Sequence, residues 1–208
     1  MDTKVLLVGG FHEVIELCEL CGVEVVGIID NTLGGEYCGC PVLGGDESAN
    51  LLFRKFPDTR VIISPDLPVV REKLFRLYHA VGFRFASLVS PRALISPRAT
   101  LGRGVVIQSG VNVSAGVQIG DFVKLNTHAN IMHDVTVGEF TTVAPNAVLL
   151  GRVHIGTGCY IGASATVLPM KRVGSTATIG AGSVVTRDVQ AGSTVVGNPA
   201  RALVKAEG

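Results

Sequence analysis

The sequence contains no tryptophan, and aromatic residues make up only 5% of its 208 positions. It also lacks an excess of charge of either sign, because 18 basic residues stand against 17 acidic ones without a basic cluster. A nucleic-acid partner is therefore not expected. No apolar run reaches the roughly 18 residues of a membrane span, so we expect no membrane partner either.

Cysteine is scarce and odd in number, with five residues in all. This count favours a reducing, cytoplasmic environment over a disulfide framework. The pair Cys18 and Cys21 lies in an apolar helical pattern, and the pair Cys38 and Cys40 lies in a glycine-rich loop. Neither pair has the surrounding spacing of a zinc finger or ribbon, so we expect no metal.

The second half of the chain carries an unbroken six-residue period. A branched aliphatic residue occupies each of the positions 95, 101, 107, 113, 119, 125, 131, 137, 143, 149, 155, 161, 167, 173, 179 and 185. This period fits neither a helix nor an isolated strand. It is typical of a parallel β-helix, in which each hexad forms one flat side and its aliphatic side chain points inward. We expect about five coils of three hexads between Ala93 and Val189.

The first half alternates between strand and helix patterns, which predicts a small parallel α/β domain. The predicted strands cover residues 4–8, 24–29, 60–64 and 84–89, and the predicted helices cover 13–21, 50–55 and 68–81. We therefore expect two domains. The α/β domain covers residues 1–88, and the β-helix with a C-terminal tail covers residues 89–208.

Motifs in both halves resemble one enzyme family. Hexads such as Ile119-Gly120 and Ile161-Gly162 match left-handed β-helix acyltransferases, and residues 126–138 resemble the active-site stretch of sugar acetyltransferases. The closing motif Gly197-Asn-Pro-Ala-Arg201 does so as well. The N-terminal order of strand, Gly-Gly-Phe-His, helix, strand and aspartate is similar to sialic acid O-acetyltransferases and to bacillosamine and perosamine N-acetyltransferases. The resemblance implies a Rossmann-like domain for a nucleotide-linked sugar and a left-handed β-helix for the cosubstrate acetyl-CoA.

His133 and Asp134 are the candidate catalytic residues. Acetyl transfer from a thioester needs a base, and an imidazole ionises near working pH. A neighbouring carboxylate can hold the imidazole in one tautomer and stabilise the imidazolium. Both residues follow Ile131 at a turn between hexads, where side chains can point outward. An exposed His beside an exposed Asp is the simpler interpretation, and the family segment around them favours catalysis.

Four residues are candidates for binding acetyl-CoA. Gly151 stands one coil after His133, and a backbone N–H beside a glycine is the usual donor to an oxyanion. The resemblance implies that Gly151, Ala163 and Ala181 line the path of the pantetheine arm, although ordinary turn residues would give the same pattern. Thr142 stands where many relatives have a second histidine, which is held to bond the acetyl-CoA carbonyl.

Five residues are candidates for binding the sugar nucleotide. The glycine pair ending at Gly10 is not the dinucleotide fingerprint, which disfavours NAD, but its N–H groups can approach a phosphate. Asp30 ends the second strand, where an acidic side chain commonly accepts hydrogen bonds from a ribose or base. The resemblance implies that His12 and Asn126 approach the sugar and that Asn31 occupies the second acidic position of the family.

The resemblance implies an acetyl-CoA-dependent N-acetyltransferase that acts on a nucleotide-linked amino sugar by direct transfer and assembles as a homotrimer. An O-acetyltransferase of sialic acid or another sugar stays open, because the same base serves either nucleophile. A zinc lyase of the γ-carbonic anhydrase type is a third interpretation, since His128 and His133 have its five-residue spacing. Its remaining histidine position holds Arg92 here. A non-catalytic scaffold is the fourth.

Overall fold

The computed structural model of the protein describes residues 4–203. The chain divides into two compact units, Met1–Pro91 and Arg92–Gly208. Within the described residues, no helix is both long and apolar enough to cross a membrane. The five cysteines are free thiols.

The first unit is built on a three-stranded parallel sheet. Its elements are β1 (Lys4–Val8), α1 (His12–Leu20), β2 (Glu24–Ile29), the hairpin β3 (Glu36–Tyr37) and β4 (Cys40–Pro41), α2 (Ala49–Lys55), β5 (Arg60–Ile63), α3 (Pro68–Val81) and β6 (Leu88–Val89). The sheet order is β2-β1-β5, with Leu7 paired to Ile28 and Ile62. The four apolar residues of the central strand are at most 1% exposed, as expected for a parallel strand covered on both faces.

Local sequence signals explain where α3 begins and ends. Pro68 occupies the first helical turn, where its missing N–H costs no hydrogen bond. Gly82 follows the helix with a left-handed φ of +109°, which a residue with a side chain rarely adopts. The helix covers residues 68–81 as the sequence predicts.

The predicted strand over residues 84–89 is wrong as a continuous element. Only Phe85 pairs with Val61 of β5, and hydrogen bonds from the Val61 N–H to Arg84 and from the Ala86 N–H to Val61 flank that single bridge. Regular strand geometry returns only at Leu88–Val89. The apolar pattern therefore contains one bridge and one two-residue strand, which alternation alone does not separate.

The second unit is a parallel β-helix, which confirms the prediction from the six-residue period. Each of the sixteen periodic aliphatics is the second residue of a two-residue strand. The strands are β7 (Leu94–Ile95), β8 (Thr100–Leu101), β9 (Val106–Ile107), β10 (Asn112–Val113), β11 (Gln118–Ile119), β12 (Lys124–Leu125), β13 (Asn130–Ile131), β14 (Thr136–Val137), β15 (Thr142–Val143), β16 (Val148–Leu149), β17 (His154–Ile155), β18 (Tyr160–Ile161), β19 (Thr166–Val167), β20 (Arg172–Val173), β21 (Thr178–Ile179) and β22 (Val184–Val185).

Every third strand joins the same sheet, so the coil has three flat sides. One side has the order β7-β10-β13-β16-β19-β22, the next has β8-β11-β14-β17-β20, and the third includes β9-β12-β15-β18-β21. Stacked partners lie one coil of 18 residues apart, as Asn112 and Asn130 do. The chain closes with β23 (Thr194–Val196), parallel to β21, and β24 (Arg201–Ala202), antiparallel to β23.

Burial follows the period, with an exception at the first coil. Fourteen of the periodic aliphatics are at most 4% exposed, whereas Leu101 is 36% exposed and Ile95 is half-buried. A coil in a solenoid is covered by its neighbours, and these two residues belong to the coil that begins the stack. The core is therefore a column of stacked aliphatic side chains.

Between Leu101 and Ile179, the residue three places after each periodic aliphatic is left-handed. At the corner that follows β10, β13, β16 and β19 these residues are Gly116, Asp134, Arg152 and Met170, with φ of +75°, +59°, +62° and +62°. Residues other than glycine rarely adopt this backbone conformation, and Asp and Asn adopt it more readily than the rest. The repeat thus turns sharply at its corners, and at the corner after β13 and β16 it exposes the side chains of Asp134 and Arg152.

Candidate active site

His133 and Asp134 lie together on the corner between β13 and β14. Their side chains are 56% and 55% exposed, so both point away from the core. The Nδ1 atom of His133 lies 3.0 Å from Oδ2 of Asp134. We call this turn, with the turns stacked directly above and below it, the dyad corner.

The contact between the two side chains fixes the role of each imidazole nitrogen. A carboxylate only accepts hydrogen bonds, so Nδ1 of neutral His133 must carry the proton and donate it to Asp134. The lone pair of the neutral ring is then on Nε2. This is the tautomer in which a histidine can take a proton from a nucleophile.

Gly151 lies against the free edge of the His133 ring. A Cβ built at Gly151 would be 2.5 Å from Nε2 and 2.7 Å from Cε1, closer than any real Cβ contact. The N–H of Arg152 donates to the carbonyl of His133 over 3.0 Å, which holds this turn in register with the one below. The N–H of Gly151 donates no hydrogen bond to any group within residues 4–203.

The carboxylate of Asp134 has two further neighbours. The Nε atom of Arg152, in the turn above, lies 3.8 Å from Oδ2. In the turn below, a Cβ at Gly116 would be 2.4 Å from Oδ1. Glycine at position 116 therefore leaves the space that the carboxylate occupies. The sequence predicted Asp134 but neither of these neighbours.

The other candidates for binding acetyl-CoA lie at different places on the coil. Ala163 and Ala181 stack at the corner that follows β18 and β21, where the Gly182 N–H donates to the Ala163 carbonyl. Gly151 is at the dyad corner instead. Thr142 is fully buried on β15 in this chain. Within one chain, the predicted cosubstrate residues therefore do not form a single cluster.

Asn126 is also separated from the dyad. It lies at the turn after β12 and is only 5% exposed. Its N–H donates to the carbonyl of Val143 in the next coil, and its carbonyl accepts from Ala129. Contact with a sugar stays a prediction for this residue.

The first unit contains a cavity of about 290 Å³ at the carboxyl ends of its parallel strands. Two of the predicted substrate-binding residues, Asp30 and Asn31, line it. The carboxyl edge of a parallel sheet is the usual ligand site in α/β folds, because the loops there leave a crevice. The lining also includes Gly9, Asp46, Pro65 and Lys73.

Asp30 holds the loops beside this cavity. Its Oδ2 accepts the Gly10 N–H over 2.8 Å, and its Oδ1 accepts the N–H and hydroxyl of Thr32 over 2.8 and 2.7 Å and the Leu33 N–H over 3.1 Å. Burial raises the pKa of Asp30, but these hydrogen bonds outweigh it and hold the pKa below its ordinary value. Asp30 is thus a charged anchor that ties the glycine loop after β1 to the loop after β2.

Asn31 and His12 also have partners within the unit. Asn31 forms a reciprocal pair with Asp46, donating from Nδ2 to Oδ2 and accepting the Asp46 N–H, each over 2.8 Å. His12 begins α1, and its Nδ1 lies 3.4 Å from the hydroxyl of Tyr37. His12 is exposed and does not line the cavity.

The sequence interpretation missed Asp46 and Lys73. Asp46 accepts a hydrogen bond from the buried Tyr78 hydroxyl over 2.8 Å in addition to its pair with Asn31. It follows two glycines and begins the short 3-10 helix Asp46–Ser48, a position without a recognisable motif. Lys73 is the one cationic residue in the cavity lining. In the sequence it belongs to the charged face of α3, which predicts only exposure to solvent.

The histidines that suggested a zinc site do not belong to a metal-binding cluster among residues 4–203. His128 lies at the corner before the dyad corner, with its ring over Gly110. Among the described residues, no group of three or more His, Cys, Asp or Glu side chains is arranged to hold a metal ion.

Comparison with known proteins identifies several close structural relatives. The family described as Bacterial transferase hexapeptide (six repeats) matches residues 137–169. A comparison with curated proteins gives no match. The acetyltransferase domain of PglB from Neisseria gonorrhoeae FA1090 is 30% identical, with a TM-score of 0.92 over 97% of this chain and 100% of that one.

Two further structures extend over the same length. PerB from Caulobacter crescentus, solved in complex with CoA and GDP-perosamine, is 31% identical, with a TM-score of 0.92 over 97% of each chain. Variants of that protein with one histidine replaced by alanine or asparagine were solved with the same ligands. WeeI from Acinetobacter baumannii AYE is 30% identical, with a TM-score of 0.85 over 97% of this chain and 100% of that one.

Proposed function

The chain belongs to the hexapeptide-repeat sugar acetyltransferases, and from that premise we propose that it transfers the acetyl group of acetyl-CoA to the amine of a nucleotide-linked amino sugar. The observation that carries the proposal is the His133–Asp134 contact of 3.0 Å with the bare backbone of Gly151 against the free edge of the ring. PerB, a relative of nearly equal length, was solved with CoA and GDP-perosamine.

The proposal includes the finer features that the resemblance implies. The coil would be left-handed, the first unit Rossmann-like, and the working enzyme a homotrimer in the cytoplasm. The order β2-β1-β5 of parallel strands with interspersed helices supports the Rossmann-like interpretation. The separation of Gly151 from Ala163 and Ala181 on different corners supports a site that neighbouring chains complete.

In the proposed reaction, His133 is the general base. The substrate amine attacks the thioester carbonyl carbon directly, which forms the C–N bond. Nε2 of His133 takes the proton that the nitrogen must lose, and Asp134 stabilises the resulting imidazolium through Nδ1. The C–S bond then breaks, and the imidazolium returns the proton to the leaving sulfur as CoA thiol.

Gly151 has two roles in this scheme. Its missing side chain leaves Nε2 accessible, because a Cβ would be only 2.5 Å away. Its N–H, which donates to no group within residues 4–203, is available for the negative oxygen of the tetrahedral intermediate. Preorganised donors of this kind stabilise the transition state more than the ground state.

The cavity of the first unit is the proposed nucleotide site. Lys73 brings a positive charge to the cavity, which suits a diphosphate. Asp30 fixes the Gly10 backbone through its N–H and so shapes the loop that begins beside the cavity. The predicted contacts of His12, Asn31, Asn126 and Thr142 with substrate or cosubstrate remain part of the proposal.

The test is acetyl transfer from acetyl-CoA to a panel of UDP-, GDP- and dTDP-linked 4-amino sugars, together with CMP-sialic acid and free sialic acid. Mass spectrometry is the readout, because five cysteines would interfere with a thiol-trapping assay. We expect one amino sugar to gain one acetyl group. In His133→Ala we expect kcat to fall by about 10²-fold or more.

Other outcomes would change the assignment. Acetylation of a sialic acid alone would keep the catalytic pair and replace the acceptor by a sugar hydroxyl. Full activity in His133→Ala would remove the general base from the proposal. Failure of the protein to bind acetyl-CoA would contradict the transferase function.

A further inference from the structure

Three residues at the dyad corner stack directly in line with the carboxylate. Gly116, Asp134 and Arg152 occupy the same left-handed position in three successive coils. Neighbouring coils of a parallel β-helix are about 4.8 Å apart, so each residue lies within reach of the next. Arg152 is not among the residues that the sequence indicated, and the reaction described above gives it no role.

The contacts around Asp134 restrict the carboxylate from three directions. Oδ1 fills the space over Gly116, where a Cβ would be 2.4 Å away. Oδ2 faces Nδ1 of His133 at 3.0 Å and Nε of Arg152 at 3.8 Å. The same oxygen that orients the imidazole therefore also faces a guanidinium.

We propose that Arg152 is a positioning residue that orients the Asp134 carboxylate and offsets part of its charge beside His133. This inference depends on the proposed acetyltransferase function. The carboxylate stabilises the imidazolium form of His133, and the nearby cation opposes that effect. The loss of Arg152 should therefore change the pH dependence of the reaction, because Nε of Arg152 lies 3.8 Å from the oxygen that faces His133.

Few other charges face the dyad from the coils of this unit. The turn directly below, at residues 114–117, contains no charged side chain, and the turn above contains only Arg152. Arg98 and Lys171 lie two coils away at the same corner, and His154 lies on the adjoining face, on β17. Arg152 is therefore the cation closest in register to Asp134.

The experiment compares the pH dependence of kcat/KM in the wild type, Arg152→Gln and Arg152→Lys. We expect the midpoint of the acidic limb to rise by roughly 0.3–0.5 pH unit in Arg152→Gln, as expected for one screened charge at short range. Arg152→Lys should return most of the shift. Both side chains are exposed, at 67% and 55%, so the shift should shrink as salt is added.

Arg103→Gln is the matched control. Arg103 and Asp121 form a similar ion pair between successive coils at another corner, with Nε 2.6 Å from Oδ2. Its loss should leave the pH midpoint unchanged. If Arg152→Gln leaves the pH midpoint of kcat/KM unchanged, the proposal is overturned. This holds even if the variant raises the KM for acetyl-CoA.

Histidine NMR separates this inference from the proposed function. The titration of the His133 ring, assigned among the five histidines with His133→Asn, requires no substrate. A shift of that titration to higher pH in Arg152→Gln supports the role of Arg152 even in a protein that acetylates no sugar in the panel. A titration that does not move contradicts it even in a fully active enzyme.

Discussion

The missing side chain of Gly151 leaves room for the imidazole of His133, and the proposed reaction depends on that room. The glycine does not have a left-handed φ, so steric room, not backbone conformation, is the reason for glycine at this position. The sequence could predict that Gly151 stacks above His133 because the coil length of 18 residues follows from the hexad period. It could not predict the close approach to the ring, which depends on the rotamer of His133.

This leads to a prediction for Gly151→Ala. The added Cβ would force the imidazole away from its position against Asp134, because the unmodified distance to Nε2 is 2.5 Å. We expect kcat to fall by about 10²-fold, the typical cost of misplacing a catalytic group by about 1 Å. Thermal unfolding should change little, because the ring is exposed and can move outward. An active alanine variant would show that the ring does not need its observed position.

Asp30 provides a pH-dependent prediction. Its pKa is below the ordinary value of 3.8, because four hydrogen bonds to the charged form outweigh the opposing effect of burial. A carboxylate with a lowered pKa stabilises the fold above the unfolded-state pKa, and this contribution disappears as the pH falls through the folded-state pKa. Asp30→Asn should therefore be less stable than the wild type near neutral pH.

The difference in the free energy of unfolding between Asp30→Asn and the wild type should become smaller below about pH 4. Chemical denaturation at several pH values measures it directly. A gap that is the same at pH 3 and pH 7 would mean that the carboxylate charge is not what ties the two loops together.

At the scale of the element, the hexad period was sufficient to predict the β-helix. All sixteen aliphatics occupy equivalent strand positions, because an aliphatic residue repeated every six places has one consistent inward direction.

The first unit was less predictable. The segment 84–89 has the apolar composition of a strand but makes only one bridge to β5, since pairing depends on neighbours that are distant in sequence. Asp46 likewise joins the cavity through Asn31 and Tyr78, which are far from it along the chain.

A matched pair of leucines tests whether stacking is the source of stability in the coil. Leu101 and Leu149 hold the same position of the hexad, but Leu101 is 36% exposed and Leu149 is fully buried. We expect Leu149→Ala to lower the free energy of unfolding by about 2–5 kcal/mol, because it leaves a cavity between neighbouring coils. Leu101→Ala should cost clearly less. Equal losses in urea denaturation would argue against a stability that depends on burial within the stack.

At the scale of the whole molecule, the residues proposed to bind acetyl-CoA are spread over one chain. The dyad and Gly151 are at one corner of the coil, and Ala163 and Ala181 are at another, separated by a flat side of the coil. Two chains packed side by side can bring unlike corners of the coil together. A closed ring of three chains uses such unlike surfaces in every interface. The proposed homotrimer would therefore be required for activity.

Complementation between two inactive variants tests this arrangement. His133→Ala removes the base, and Ala181→Trp fills the proposed path of the pantetheine arm at an exposed position. Each variant alone should be inactive. If neighbouring chains share each site, trimers assembled at random from equal amounts should recover about a quarter of the wild-type sites, because His133 and Ala181 then meet across an interface. Differently tagged chains, coexpressed and purified through both tags, isolate the mixed trimers, in which about one site in three should be active, and sedimentation gives their size. Mixed trimers that stay inactive would mean that one chain supplies both residues, and a monomeric wild type with full activity would exclude the shared site altogether.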